Sequence, residues 1–78
     1  MKILLFSKPD CAPCDQIKLY FKNKNIFFEE LIVTDGKNAK IMENYRIMSV
    51  PTVVIITETG QKFIKNGFSA HWLDRHIS

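Results

Sequence analysis

The chain is poor in the features that mark most specialised classes of protein. Its 78 residues include two cysteines, three glycines and three prolines, and like charges form no long run. Fibrous and low-complexity chains need abundant or periodic glycine and proline, so the composition excludes them. No apolar stretch approaches the roughly 20 residues that cross a bilayer as a helix. We therefore expect a globular protein that does not span a membrane.

The charge of the chain is also modest. Eleven lysines and arginines against eight acidic residues give a formal net charge of +3, and the basic residues are scattered. Nucleic-acid-binding proteins carry lysine and arginine in clusters or stripes, so we expect no nucleic-acid partner. The length predicts one domain over residues 1–78, which we expect to be a monomer.

The first ten residues, MKILLFSKPD, predict a cytoplasmic protein. The apolar run from Ile3 to Phe6 is shorter than the about 7–15 residues of a secretory signal, and polar residues follow it at once. In the cytoplasm thiols are kept reduced. Neighbouring cysteines there more often bind metal or perform redox chemistry than stabilise a fold as a disulfide.

Hydrophobic patterning predicts an α/β protein with the element order β-α-β-α-β-β-α. The predicted strands are KILLFS, IFFEELIV, PTVVIIT and QKFIKN, of which the last alternates weakly and should lie at the sheet edge. The helices begin near Cys11, at KNAKIMENYRIM and at Phe68–Ser69, with Asn25 as a left-handed stop after the first helix and Ser69 as the cap of the last. Ile41, Tyr45 and Met48 should share one face of the second helix. The first βαβ unit requires a parallel pair of strands, and the last two strands form a hairpin. The prediction is a mixed four-stranded sheet flanked by helices.

Both cysteines lie where the first strand ends and the first helix begins, a common place for sites in open α/β sheets. The stretch KPDCAPC places Cys11 and Cys14 on either side of Pro13, which suits the first helical turn. A C-x-x-C beside a βαβ pattern indicates a redox pair. The positive end of the helix, aided by Lys8, would lower the pKa of the Cys11 thiol towards neutral. We expect an exposed Cys11 to attack and an inward Cys14 to resolve.

A pair of cysteines can also bind a metal or form a purely structural disulfide. His71 and His76 are the only further soft metal ligands, but the gap from Cys14 far exceeds that of a zinc finger. Five residues along a helix also turn about 140°, so the two histidines point apart and we expect no metal. A purely structural disulfide remains the second alternative.

A proline at the start of the third predicted strand leaves two readings open. In SVPTVVIIT, Pro51 occupies a position where a missing backbone donor is tolerated. Alternatively, a cis Val50–Pro51 bond would place the backbone of Val50 beside the Cys11 sulfur, where an extended substrate could pair with it. The residues alone do not distinguish these readings.

Taken together, FSKPDCAPC, SVPTVV and NGFSAHWLDRH resemble the thioredoxin fold, and within it the small glutaredoxin-like branch that includes the NrdH-type redoxins. The resemblance covers nearly the whole chain. It implies a cis bond at Pro51, a nucleophile at Cys11 and a resolving thiol at Cys14. It also matches Lys8 to a basic residue before the nucleophile. Lys65 departs from the pattern, because those redoxins often have tryptophan there.

The resemblance also implies a substrate-binding surface and a function. The expected surface residues are Lys8, Pro13, Val50, Pro51, Gly67 and Phe68, of which the last two match the Gly-Phe pair that opens the final helix in those redoxins. The implied function is dithiol-disulfide exchange with protein disulfides, without metal or organic cofactor. Ribonucleotide reductase is the implied electron acceptor, and thioredoxin reductase or glutathione the reductant. The alternatives are a glutathione-dependent glutaredoxin and a thiol-containing binding module without redox turnover.

Overall fold

Four strands and three helices follow one another in the computed structural model, which describes residues 1–77. The elements are β1 (Lys2–Ser7), α1 (Ala12–Asn23), β2 (Glu29–Ile32), a 3₁₀ turn (Gly36–Asn38), α2 (Ala39–Asn44), β3 (Thr52–Ile56), β4 (Lys62–Asn66) and α3 (Ala70–Ile77). The predicted order β-α-β-α-β-β-α is confirmed.

The four strands form one mixed sheet in the order β2-β1-β3-β4. β1 runs parallel to β2 and antiparallel to β3, where Phe6 lies opposite Thr52. β3 and β4 form the predicted antiparallel hairpin, with Thr52 opposite Asn66, and β4 is an edge strand as expected. The C-terminal end of β1, the start of β3 and the end of β4 therefore lie together at one end of the strands.

Alternation along β1 divides the hydrophobic core between the two faces of the sheet. Ile3 and Leu5 pack with residues of α1 and with Leu73 of α3. Leu4 and Phe6 point the other way and pack with Leu31 and with partly buried residues of α2. Each fully buried aliphatic or aromatic side chain contributes about 1.5–3 kcal/mol. This packing holds the first turn of α1 against the strand ends just described.

Two elements are shorter than the sequence predicts. The second strand, predicted from Ile26, begins only at Glu29. Asn25 adopts a left-handed φ of 55°, and the side chain of Phe27, which the prediction placed in the strand, is 97% exposed. The left-handed Asn25 itself was predicted. The second helix ends at Asn44 rather than continuing to Met48.

The prediction that Met48 shares a buried helix face is wrong. Ile41 and Tyr45 do pack against the core on the α2 side of the sheet, as expected. Arg46, however, adopts a left-handed φ of 54°, which ends the helical path before Met48 is reached. The Met48 side chain is 94% exposed as a result.

A polar network joins β1, α1 and β2 next to the first helical turn. The buried Ser7 hydroxyl donates a 2.6 Å hydrogen bond to Glu30 Oε2. Lys18 Nζ lies 3.1 Å from the same oxygen and 3.4 Å from Asp15 Oδ1. The Ser7 hydroxyl, followed by Lys18, holds the pKa of Glu30 below its usual value of 4.5.

This network predicts a measurable acid dependence of stability. Because the pKa of Glu30 is lowered on folding, its stabilising contribution is complete above about pH 4.5 and disappears as the pH falls through the lowered value. Glu30→Gln should remove about 1 kcal/mol of the free energy of unfolding at pH 7, since the group is partly exposed. Urea unfolding from pH 7 to pH 3 should show a shallower acid decline in the variant. Glu29→Gln, on the same strand, is the matched control, and identical pH profiles for wild type and Glu30→Gln would contradict the assignment.

Candidate active site

A disulfide joins Cys11 and Cys14, whose Cα atoms lie 5.2 Å apart. Cys11 precedes α1 in an extended conformation, and its Sγ accepts the backbone N–H of Cys14 at 3.2 Å. Pro13 lies in the exposed first turn between them, where its missing N–H leaves no helical bond unmade. A sulfur at position 11 is thus held by a helix N-terminus, the environment that favours a thiolate.

The two cysteines differ in exposure in the predicted direction. Cys14 is fully buried, whereas Cys11 is 7% exposed. Cys11 is less open than the sequence led us to expect, because its sulfur is bonded to Cys14 and faces the Cys14 N–H. Of the two residues, Cys11 is nevertheless the one that retains accessible surface.

A cavity lies on the α2 side of the sheet, beside the strand end that leads to Cys11. Its volume is about 410 Å³, and Lys8, Met48, Ser49 and Val50 line one part of it. Val33, Met42 and Ile47 supply its apolar walls. The structure thus brings together Lys8 and Val50, which the sequence analysis selected, and adds Met48.

The Val50–Pro51 peptide bond is cis, as the family resemblance implied. Pro51 is buried, and its carbonyl accepts the N–H of Gly67 at 2.7 Å. Val50 is half-buried, and within residues 1–77 its backbone N–H and C=O take part in no hydrogen bond. Backbone groups of this kind are free to pair with an extended segment of another protein.

Gly67 and Phe68 form the opposite flank, on the side of α1 and α3. Gly67 has a left-handed φ of 81°, a conformation that glycine adopts without strain. Phe68 is 38% exposed and contacts the Tyr20 ring, 6.4 Å away between centroids. The Tyr20 hydroxyl donates to Asp74 of α3, and burial, followed by this bond, raises the pKa of Tyr20 to about 12. The Phe68 ring therefore packs against a tyrosine ring whose hydroxyl is hydrogen-bonded.

Sequence reasoning missed the side chains that hold the Ser49–Pro51 segment in place. The Thr52 hydroxyl lies within hydrogen-bonding distance of both the Ser49 carbonyl and the Asn66 side chain. The one available signal was a threonine at the start of the otherwise aliphatic run TVVII. Met48 was assigned to the core, so its place in the cavity was missed too.

No metal centre is evident around the cysteines. Across residues 1–77, no three side chains of histidine, cysteine, aspartate or glutamate are grouped so that they could hold an ion. The His76 ring instead stacks on Trp72, and its Nδ1 lies 2.9 Å from the Trp72 carbonyl. None of the helices in this same part of the chain is long and apolar enough to cross a membrane.

Comparison with known proteins identifies this arrangement. The family model for glutaredoxin matches residues 3–59, a span that contains both cysteines and Pro51. The SPbeta prophage-derived thioredoxin-like protein YosR of Bacillus subtilis is 27% identical over 95% of this chain and 91% of its own length. The crystal structure of the thioredoxin-like protein BC3987 is 33% identical, covers 95% of this chain and 97% of its own, and superposes with a TM-score of 0.75.

A third relative supports the fold alone. NrdH-redoxin from Escherichia coli superposes with a TM-score of 0.76 at 22% identity, covering all of this chain and 97% of its own. The thioredoxin fold expected from the sequence is therefore confirmed, with its mixed four-stranded sheet. The chain belongs to the glutaredoxin family and is a thiol-disulfide oxidoreductase with thioredoxin-like relatives.

Proposed function

We propose that Cys11 and Cys14 reduce disulfides in partner proteins, with Cys11 as the nucleophile. The observation that carries this proposal is the position of Cys11 at the helix N-terminus, where its sulfur accepts the Cys14 N–H and where Cys11, unlike Cys14, retains some accessible surface. In the reduced protein the same N–H is available to a Cys11 thiolate. The buried Cys14 is suited to the second, internal attack.

The reaction transfers two electrons in two exchanges. The Cys11 thiolate attacks one sulfur of the target disulfide, forms a mixed disulfide and releases the other target sulfur as a thiolate. The Cys14 thiolate then attacks Cys11 Sγ, which breaks the mixed disulfide and releases the second target thiolate. The target thiolates take up protons, the target is reduced, and Cys11–Cys14 is left oxidised.

We propose that the target binds across the strand ends beside the cysteines. The backbone of Val50 and the ring of Pro51 would meet an extended target segment, while Lys8 and Pro13 border the reacting sulfur. Gly67 and Phe68 form the flank on the α1 and α3 side, where the exposed part of the Phe68 ring offers an apolar contact. Exposed aromatic surface of this kind is typical of protein-binding sites.

Ribonucleotide reductase is the electron acceptor that we propose. The support is the sequence resemblance to NrdH-type redoxins and the structural likeness to the E. coli protein, a glutaredoxin-like protein with a thioredoxin-like activity profile. We propose that the chain acts in the cytoplasm as a single-domain monomer over residues 1–78. It would need only a reductant, with no resident cofactor.

One observation favours the alternative of a glutathione-dependent glutaredoxin. The cavity beside Lys8 and Val50, at about 410 Å³, falls within the roughly 300–1,000 Å³ of small-molecule sites. The Lys8 ammonium could pair with a carboxylate of glutathione there.

Insulin reduction by dithiothreitol tests the proposed function directly. The reduced protein should accelerate insulin precipitation severalfold at micromolar concentration, and it should support turnover of ribonucleotide reductase when supplied with a reductant. The same protein alkylated at both cysteines is the control and should accelerate neither reaction. Failure to accelerate insulin reduction would favour the non-catalytic binding module, whereas activity on insulin but not on ribonucleotide reductase would redirect the search to another acceptor.

A further inference from the structure

We propose that Thr52 is a positioning residue for the target-binding surface: its hydroxyl, oriented by the Asn66 side chain, fixes the segment Ser49–Pro51. This inference rests on the proposed function, in which the backbone of Val50 pairs with the target. It concerns a side chain that neither the family match nor the sequence analysis assigns.

The geometry of the Thr52 hydroxyl is that of a buried connector. Thr52 is 1% exposed and is the first residue of β3, opposite Asn66, the last residue of β4. Its Oγ1 lies 2.7 Å from the Ser49 carbonyl oxygen and 2.9 Å from Asn66 Oδ1. Both distances are those of well-formed hydrogen bonds.

The number of available protons determines which group donates in each of these two hydrogen bonds. A hydroxyl has one proton to donate, and the Ser49 carbonyl can only accept. The Thr52 hydroxyl therefore donates to Ser49. An asparagine amide carries an acceptor oxygen and a donor nitrogen, which exchange places when the amide turns by 180°. In the structure Oδ1 faces Thr52, which leaves two acceptor oxygens for one hydroxyl proton. Turning the amide so that Nδ2 faces Thr52 satisfies all three groups. In that orientation Asn66 donates to Thr52, and Thr52 donates to Ser49.

A second clamp holds the other end of the same segment. The N–H of Gly67, the residue after Asn66, donates to the Pro51 carbonyl at 2.7 Å. Two successive residues at the end of β4 thus fix Ser49 on one side and Pro51 on the other. Val50 lies between these fixed points, and its own backbone groups remain unpaired within residues 1–77. The clamps determine where a target segment meets Val50.

The identity of the residue at this position supports the role. The rest of β3 is Val-Val-Ile-Ile, and valine would fill nearly the same volume as threonine with a better match to its apolar surroundings. A buried hydroxyl stabilises a strand only when it has partners, and here the partners lie in the binding segment. The hydroxyl therefore serves the position of Ser49–Pro51 rather than the packing of the sheet.

The first arm of the test compares Thr52→Val with Thr52→Ser. Thr52→Val should raise KM for insulin about fivefold, the value of one net hydrogen bond, and leave kcat within about twofold. The rate of Cys11 alkylation by iodoacetamide should not change, because the reagent needs no docking segment. Thr52→Ser restores the hydroxyl and should return KM to near the wild-type value.

The second arm uses the exposed Asn66 and serves even if Thr52→Val does not fold. Asn66→Asp places only acceptors beside Thr52, which then compete with Ser49 for its single proton, so KM should rise as in Thr52→Val. Asn44→Asp, an exposed asparagine at the end of α2, is the control for the added charge. In NMR spectra one side-chain N–H proton of Asn66 should exchange slowly with solvent, and Thr52→Val should abolish that protection.

The outcomes separate this inference from the function on which it rests. If the wild-type protein does not accelerate insulin reduction, the proposed function fails and the positioning role fails with it. If the wild type is active and both Thr52→Val and Asn66→Asp keep the wild-type KM, the positioning role alone is overturned. Unprotected Asn66 amide protons in an active wild type would likewise overturn the inference that Asn66 donates to the Thr52 hydroxyl.

Discussion

Replacing Cys11 by serine should abolish reduction of protein disulfides, with a loss on the order of 10³-fold or more, as for removal of a covalent nucleophile in other enzymes. A serine hydroxyl is not ionised near neutral pH and forms no mixed disulfide. Cys14→Ser should instead complete the first exchange and stop, because no thiol remains to attack Cys11. Incubation with an oxidised target should then yield a covalent complex that dithiothreitol releases.

Trapping and labelling measure the same asymmetry independently. Cys14→Ser should retain a mixed disulfide on non-reducing gels, whereas Cys11→Ser should retain none. In the reduced wild type, iodoacetamide near neutral pH should label Cys11 well before Cys14, since Cys14 is fully buried and Cys11 is not. Gln16→Ser, an exposed change on the same helix, is the control and should behave as wild type. Equal labelling, or a stable complex through Cys14 alone, would reverse the two roles.

The features that sequence alone predicted are those that depend on neighbours along the chain. The helix after Cys11 follows from Pro13 and the apolar spacing of α1, and Ser69 caps α3 as expected by accepting the Trp72 N–H at 3.2 Å. The edge position of β4 follows from its weak alternation of exposed and half-buried residues. Local chemistry decides each of these, so the pattern sufficed.

The features that sequence missed depend on pairs that are distant in the chain. The bond between Ser7 and Glu30 joins residues 23 positions apart, and that between Thr52 and Asn66 joins residues 14 apart. Nothing in either local stretch identifies its partner. Met48 was misplaced for another reason: helical periodicity extends through residue 48, but the left-handed backbone of Arg46 interrupts the helix, and arginine gives no warning of it.

The reductant can be argued from the start of α3. In the glutaredoxins that this chain resembles, a Gly-Gly pair and acidic residues at this place hold the charged end of glutathione. Here Phe68 follows Gly67, and the first turn of α3 contains no acidic residue. The Ser69 hydroxyl already accepts the Trp72 N–H. The next acidic residue along the chain, Asp74, is engaged by Tyr20 and, at 3.2 Å, by Lys24 Nζ.

A flavoprotein of the thioredoxin-reductase type should therefore recycle the oxidised protein faster than glutathione does. Without an acid at this position the glutathione amine loses a charge-assisted hydrogen bond worth about 1.5–3 kcal/mol, which corresponds to roughly 10- to 150-fold in binding. Steady-state turnover with thioredoxin reductase and NADPH, compared with glutathione and its reductase at matched concentrations, measures the preference. Faster turnover with glutathione would replace this assignment by the glutaredoxin alternative.

A single substitution isolates the missing charge as the cause. Ser69→Asp keeps a good helix cap and adds a carboxylate where the glutathione amine would lie, whereas Ser69→Asn caps equally well without the charge. Ser69→Asp should raise glutathione-supported turnover up to about tenfold over Ser69→Asn, the lower end of the range expected for one charged partner. Turnover with thioredoxin reductase should change little, because in the proposed binding mode a protein partner also contacts the exposed Phe68 ring and the backbone of Val50. Equal use of glutathione by the two variants would show that the preference arises elsewhere, with Phe68 the next residue to replace.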